Sequence, residues 1–219
     1  MQMNIEQARF NMIEQQIRPW NVLDQDVLDL LHIVKREQFV PKAYENLAFA
    51  DVEIPLPGGE AMFNPKVEAR IVQEIAVKKH EKVLEIGTGS GYMAALLAHT
   101  AQHVTTVEIL PETAAQAQQN LAKAGITNVA VEQGNGAEGW AKGAPYDAIV
   151  VSGALPVLPE ALVKQLKLGG RMVVILGQAP AMTCQIIKRT SETAHDAVTL
   201  FETIAKPLTG AQTPSRFTF

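Results

Sequence analysis

The chain of 219 residues has one cysteine, Cys184, which excludes an internal disulfide and argues against a cysteine-built metal centre. No apolar run approaches the length that spans a bilayer. The opening residues Met1-Gln2-Met3-Asn4-Ile5-Glu6 lack the basic-then-apolar order of a signal peptide. Neither sign of charge dominates: 19 Lys and Arg stand against 23 Asp and Glu, interspersed, for a net charge of -4. That balance leaves no electrostatic footprint for duplex nucleic acid or an anionic membrane. His32, His80, His99 and His103 share no ligand spacing, so no metal is expected. No internal repeat or low-complexity tract is present. These absences predict a cytoplasmic protein with neither nucleic-acid nor membrane partners. What remains is 47% apolar and 19% charged, ordinary for a chain that buries a core.

The first 60 residues differ in pattern from the rest. Ile5, Ala8, Phe10, Met12, Ile13 and Ile17 recur near a helical period, and Arg18-Pro19 is expected to stop that helix. Asp24 is placed to cap a second helix whose inner face is Val27, Leu28, Leu30, Leu31 and Val34. From residue 36 to 66, Pro41, Pro55, Pro57, Gly58, Gly59 and Pro65 break any long element, and irregular segments of this length are usually functional or disordered. A strand–helix alternation then begins. Strands are expected at 82–86, 103–108, 129–132, 147–152 and 171–176, and helices at 66–77, 92–99, 111–124 and 159–167. Candidate strands at 184–188 and 197–204 follow without an intervening helix. The pattern predicts an α/β fold: a doubly wound, mostly parallel seven-stranded sheet with an antiparallel C-terminal edge. Residues 1–60 form an N-terminal helical cap and irregular substrate-side segment, and 61–219 the core. Trp20 and Trp140 are expected to pack, Trp140 with the option of walling a pocket. The tail Arg216-Phe217-Thr218-Phe219 is free to dock on the domain or another subunit, and the oligomeric state is open.

Chemistry concentrates in Val83-Leu84-Glu85-Ile86-Gly87-Thr88-Gly89-Ser90-Gly91-Tyr92, where a strand turns into a helix. Glycines permit the reversal and let a ligand approach the backbone, beside the free N–H groups of a helix start. The spacing is G-x-G-x-G rather than the G-x-G-x-x-G of dinucleotide sites, and no G-K-[ST] forms a triphosphate loop. An unpaired carboxylate at Glu85 would repel a pyrophosphate and favour a cation. Glu108, ending the next strand about 20 residues on, sits where an acid holds a ribose diol. S-adenosylmethionine has a ribose, an ammonium and a sulfonium but no phosphate, and it satisfies these features together. A nicotinamide dehydrogenase and a purely structural glycine turn are the competing readings.

The same segment resembles the first motif of the class I methyltransferases. Gly134-Asn135-Gly136 is similar to their adenine-side segment, Tyr146–Val151 to the fourth-strand motif, and Leu166–Arg171 to the turn before the fifth strand. Within that superfamily the chain resembles the protein-L-isoaspartate (D-aspartate) O-methyltransferase family over roughly residues 7–208. The resemblance is carried by Arg36–Pro41, Tyr44, Ala48–Asp51, Ile54–Leu56, Val83–Tyr92, Leu155-Pro156, Pro159 and Lys206-Pro207-Leu208. It implies methyl transfer from S-adenosylmethionine to the carboxylate of isoaspartyl residues in damaged proteins or peptides, after which a succinimide forms spontaneously. It also implies a cofactor site of Glu85, Gly87, Thr88, Gly89, Ser90, Gly91, Glu108, Ile109, Asn135 and Gly136. A carboxylate is already a nucleophile at neutral pH, so the absence of a His–Asp pair suits this reaction.

The chain departs from the family before its first sheet helix, where the family carries Thr-Ile-Ser-x-Pro. Here the stretch is Ala61-Met62-Phe63-Asn64-Pro65, with Phe63 at the serine position. Phe63 and Asn64 are therefore the acceptor-site positions. Asn64 is either a replacement donor or the cap of the next helix, and Lys66 or Arg70 is placed to hold an anion. Asn135 stands for the family's aspartate and Lys206 for its valine. Two alternatives follow: a methyltransferase with a less polar acceptor, and a non-catalytic cofactor-binding protein.

Overall fold

A computed structural model describes residues 4–212, so the tail at 216–219 lies outside the described residues. Helix α1 (Ile5–Met12) is capped by Asn4, and a π-turn over Ile13–Ile17 and a 3-10 turn over Arg18–Trp20 continue it. The proline does not stop the helix as expected. Arg18 keeps helical angles (φ -55°, ψ -46°), and the chain leaves the helix only at Asn21, at φ 64°. The wider π-turn makes room for the Pro19 ring. Asp24 caps α2 (Gln25–Ile33) through Asp26 N–H, and Val27, Leu28, Leu30 and Leu31 are buried along it.

The proline- and glycine-rich stretch holds 3-10 turns and a two-stranded ribbon, β1 (Ile54–Pro55) against β2 (Ala61–Met62). Next come α3 (Pro65–Ile75), β3 (Lys82–Ile86), α4 (Tyr92–Thr100), β4 (His103–Glu108), α5 (Pro111–Lys123), β5 (Val129–Gln133) and β6 (Tyr146–Leu155). They are followed by α6 (Glu160–Lys164), β7 (Leu166–Gln178), β8 (Ala181–Arg189) and β9 (His195–Glu202). The helix expected over 159–167 shrinks to Glu160–Lys164, because Leu166 already pairs with Tyr146 in the sheet. The Gly169-Gly170 pair is a bulge within β7, between the Tyr146–Leu166 and Ala148–Arg171 pairings, rather than the turn before it. Gly169 has φ +79°, the geometry such a bulge needs.

The seven strands run in the order β5-β4-β3-β6-β7-β8-β9. Pairings from β5 to β7 are parallel, and β8 and β9 form an antiparallel edge. The chain enters at β3, winds outward to β5, then crosses back to β6 on the other side of β3. The carboxyl ends of β3 and β6 thus flank a topological switch point, where ligands bind in open α/β sheets. One face of the sheet packs under the N-terminal helices, α3 and α4, in a core that includes Ile13, Leu28, Ile71, Leu96 and Ile175. The other face buries Leu84, Ile149, Leu162 and Met172. Among the described residues no helix is long and apolar enough to cross a membrane.

Candidate active site

The glycine loop leaves β3 and is tied to β4. Gly87 and Thr88 N–H donate to the Val107 carbonyl, and Gly89 N–H donates to Glu108 Oε2 at 2.9 Å. Glu108 Oε1 accepts from Leu110 N–H at 3.0 Å, so the carboxylate is aimed by backbone donors on two loops. Asn120 on α5 holds the far side, donating to the Ser90 carbonyl at 3.0 Å. Gly87, Gly89 and Gly91 all have positive φ, at 88°, 52° and 86°.

A cavity of about 60 Å³ lies at the switch point. Its floor is Ile86, Gly87, Gly89, Val107, Glu108 and Ile109; Gly134, Gly136 and Ala137 close one side and Ser152 another. Leu56, Glu60 and Ala61 cover it from the ribbon, and Leu208 and Thr209 from the C-terminal segment. Among the described residues its lining carries two carboxylates, Glu60 and Glu108, and no lysine or arginine. A methyl group on Gly136 would stand 3.0 Å from Ile86 Cγ2 and 3.2 Å from Val107 Cγ1, so that position keeps a flat surface open.

Glu85 does not have the unpaired carboxylate expected of it. It is fully buried, accepting from Thr106 Oγ1 at 2.7 Å and Ser152 Oγ at 2.9 Å. Thr88 Oγ1 lies 2.6 Å from Thr106 Oγ1 and extends the chain of hydroxyls. Burial, opposed by these two donors and reinforced by Glu108 and Glu68, pushes Glu85 up to about 8. The repulsion of phosphate attributed to Glu85 therefore passes to Glu108 and Glu60, which face the cavity.

The structure separates the other sequence-predicted residues. Gly87, Gly89, Glu108, Ile109 and Gly136 line the main cavity. Glu85, Thr88 and Ser90 border a smaller one of about 30 Å³ behind the loop, with Phe63, Glu68 and Tyr92. Gly91 begins α4, and a side chain there would meet Leu121 and Ala117 rather than either cavity. Asn135 is exposed, its Oδ1 accepting from Ala137 N–H at 3.0 Å, so its side chain shapes the loop from outside. Trp140 backs Gly134 but is absent from the lining of the main cavity.

On the acceptor side, Asn64 Oδ1 caps α3 by accepting from Val67 N–H at 3.1 Å. The Phe63 carbonyl accepts from Arg36 Nη2 at 2.7 Å. Arg36 is buried; it also pairs with Glu68 at 2.9 Å and donates to the Ala48 carbonyl at 2.7 Å. Burial outweighs that guanidinium and pushes Glu68 up to about 7. Lys66 and Arg70 are engaged elsewhere, by Asp51 and Glu74, each at 2.6 Å. Sequence reasoning missed Leu56, Ser152 and Thr209, and placed Glu60 only within the acceptor-side stretch 58–66 that the resemblance implies. Ser152 ends the strand expected at 147–152, beside the switch point, a positional signal, although β6 runs on to Leu155; the other three come from segments brought over the site by long-range packing.

A family model described as protein-L-isoaspartate(D-aspartate) O-methyltransferase matches residues 7–213. A protein-L-isoaspartate O-methyltransferase of Methanoculleus marisnigri is 44% identical over 169 residues, covering 77% of each chain. A protein-L-isoaspartate O-methyltransferase 2 of Marinobacter nauticus is 36% identical over 210 residues, covering 95% of this chain and 96% of that one. Among solved structures, a protein-L-isoaspartate O-methyltransferase superposes with a TM-score of 0.79 at 25% identity. It is matched over 94% of this chain and 66% of its own length. A Plasmodium falciparum structure in complex with S-adenosyl-L-homocysteine shares the fold, with a TM-score of 0.78 at 18% identity over 94% of this chain and 99% of that one. This chain, with its acid-walled cavity at the sheet's switch point, belongs to the protein-L-isoaspartate (D-aspartate) O-methyltransferase family.

Proposed function

We propose that the chain uses S-adenosylmethionine to methylate the free carboxylate of L-isoaspartyl (D-aspartyl) residues in damaged proteins and peptides, and that it works in the cytoplasm. The carrying observation is the cavity at the switch point, walled by Glu60 and Glu108 with no lysine or arginine in its lining among the described residues and Lys206 reaching Glu60 only from outside it, in a chain of this family. A pyrophosphate would meet two like charges there, whereas a nucleoside bearing an ammonium and a sulfonium meets opposite ones. Each Glu108 oxygen accepts one backbone N–H and keeps a lone pair for a ribose hydroxyl. Ile86, Val107 and Ile109 supply apolar surface for a base, and Gly136 lets it lie flat.

In this reading Gly87, Gly89, Glu108, Ile109 and Gly136 touch the cofactor. Glu85, Thr88 and Ser90 support it from behind, while Gly91 and Asn135 set the backbone of the two loops. Phe63 and Asn64 shape the acceptor side through packing and capping. When bound, the cofactor supplies a methyl group activated by its sulfonium. The acceptor carboxylate, with an ordinary pKa near ~4, is already ionised, so no side chain needs to take a proton. The protein's task is to orient the two reactants and keep water out. Leu56 and Leu208 serve the second purpose as apolar covers.

The cavity is smaller than the ~300–1,000 Å³ typical of ligand sites. The test is transfer of labelled methyl from S-adenosylmethionine to an isoaspartyl peptide, with the aspartyl peptide as control. Base-labile ester on the first alone is expected. Absence of ester while calorimetry shows bound cofactor overturns the proposal.

A further inference from the structure

The ribbon and the C-terminal segment meet across the mouth of the cofactor cavity, and a cation sits where they touch. Lys206 Nζ donates to the Gly59 carbonyl and lies 3.4 Å from Glu60 Oε2. The other oxygen of Glu60 accepts from Thr209 Oγ1 at 2.8 Å. Lys206 also lines a second cavity of about 900 Å³, large enough for a peptide segment. That cavity shares Glu60, Ala61 and Leu208 with the cofactor cavity, so Lys206, lining the larger one and paired to Glu60, lies beside the cofactor cavity without lining it.

An acceptor carboxylate needs a donor at that junction; Gln178 lines the larger cavity but carries no charge, and the other candidates nearby are spent. Ala61 has no polar group, Asn64 caps α3, the Phe63 carbonyl is held by Arg36, and Lys66 and Arg70 are paired to Asp51 and Glu74. Among the described residues the charged side chains lining the larger cavity are Glu53, Glu60 and Lys206. Among them Lys206 is thus the cation in a groove whose other charges repel anions. Its ammonium has three N–H groups, of which Gly59 and Glu60 engage two, and its side chain is 42% exposed.

We propose, resting on the methyltransferase reading above, that Lys206 is the specificity-determining residue that receives the acceptor carboxylate, replacing the hydroxyls missing at positions 61 and 63. Pairing to one carboxylate oxygen leaves the other free to attack. Esterification forms the O–CH3 bond as the C–S bond breaks, with its electron pair staying on sulfur and no proton moving. The ester is neutral, so Lys206 holds substrate more tightly than product.

The experiment is calorimetric titration of two peptides into protein saturated with S-adenosylhomocysteine. One peptide carries the isoaspartyl residue with a free α-carboxylate and the other its α-carboxamide. Wild type should prefer the carboxylate by about tenfold, as expected for one half-exposed charge-assisted contact. Lys206→Met should abolish the preference while binding the carboxamide as wild type does, and Lys206→Arg should retain it. Added salt should erode the wild-type preference. No preference in wild type, or an unchanged preference in Lys206→Met, overturns the assignment. Intact preference without ester in the parallel methylation assay leaves Lys206 as the carboxylate receptor and sinks the methyl-transfer reading instead.

Discussion

Replacing Glu85 with glutamine isolates the state of a carboxyl group wholly inside the protein. Burial pushes it from an ordinary 4.5 up to about 8. Between those values the folded chain holds a proton that the unfolded chain has released. The stabilisation tied to that proton is complete below about pH 4.5 and is lost as the pH rises through 8. Linkage sets the slope at about 1.4 kcal/mol per pH unit and the whole span on the order of 5 kcal/mol. Glutamine keeps the shape and one acceptor for the Thr106 and Ser152 hydroxyls but cannot ionise. Urea denaturation of both proteins at intervals from about pH 5 to pH 8 measures the difference. Wild type should lose stability relative to Glu85→Gln at each step, with the variant the more stable of the two at the alkaline end. Glu68, raised to about 7, is present in both proteins, and its repulsion of Glu85 adds to the wild-type loss where both ionise. Saturating S-adenosylmethionine, a cation, should favour the ionised form and narrow the gap. Parallel stability curves across this range would refute the buried, largely protonated carboxyl.

Glu108→Gln should weaken S-adenosylmethionine binding by about ten- to a hundredfold, the ~1.5–3 kcal/mol of a hydrogen bond to a charged group, measured by calorimetry. Gly136→Ala places a methyl 3.0 Å from Ile86 Cγ2 in the cofactor cavity. It should lower cofactor affinity about tenfold or more and, because the methyl presses on the buried Ile86 and Val107, lower the urea midpoint as well; equal affinity in the folded variant would mean that this surface is not where the base lies. Arg36→Met strands Glu68 in the core and frees the Ala48 and Phe63 carbonyls. A loss of about 3–5 kcal/mol is expected, widening as the pH rises above about 7, where wild-type Glu68 ionises against Arg36 and the unpaired Glu68 of the variant, raised further, does not; a pH-independent deficit would contradict the pairing.

Much of the fold could be read from the chain because its causes are local. The strands 82–86 and 103–108 announce themselves as short apolar runs between glycines and helical periods, and their bounds hold in the structure. The antiparallel edge followed from two late strands without a helix between them. The misjudged elements are those where a long-range contact outweighed a local preference. Arg18 stays helical before a proline because the preceding turn widens, and Leu166 leaves its expected helix because Tyr146 offers it a place in the sheet.

The site divides in the same way. The spacing of Gly87, Gly89 and Gly91, with an acid ending each of two strands' worth of sequence, points to a phosphate-free cationic nucleoside from the sequence alone. That is possible because a strand–turn–helix and its next strand are built from adjacent residues. Only the tertiary structure decided that Glu85 is satisfied by Thr106 and Ser152, so that Glu108 and Glu60 carry the charge at the cavity. It chose between the two roles the sequence left open for Asn64, making it a helix cap, and only it placed Lys206 against Gly59, across 147 residues of sequence. Whether a carboxyl is charged and which cation meets the acceptor depend on burial and on neighbours from distant segments. Neither is encoded in any short stretch of chain.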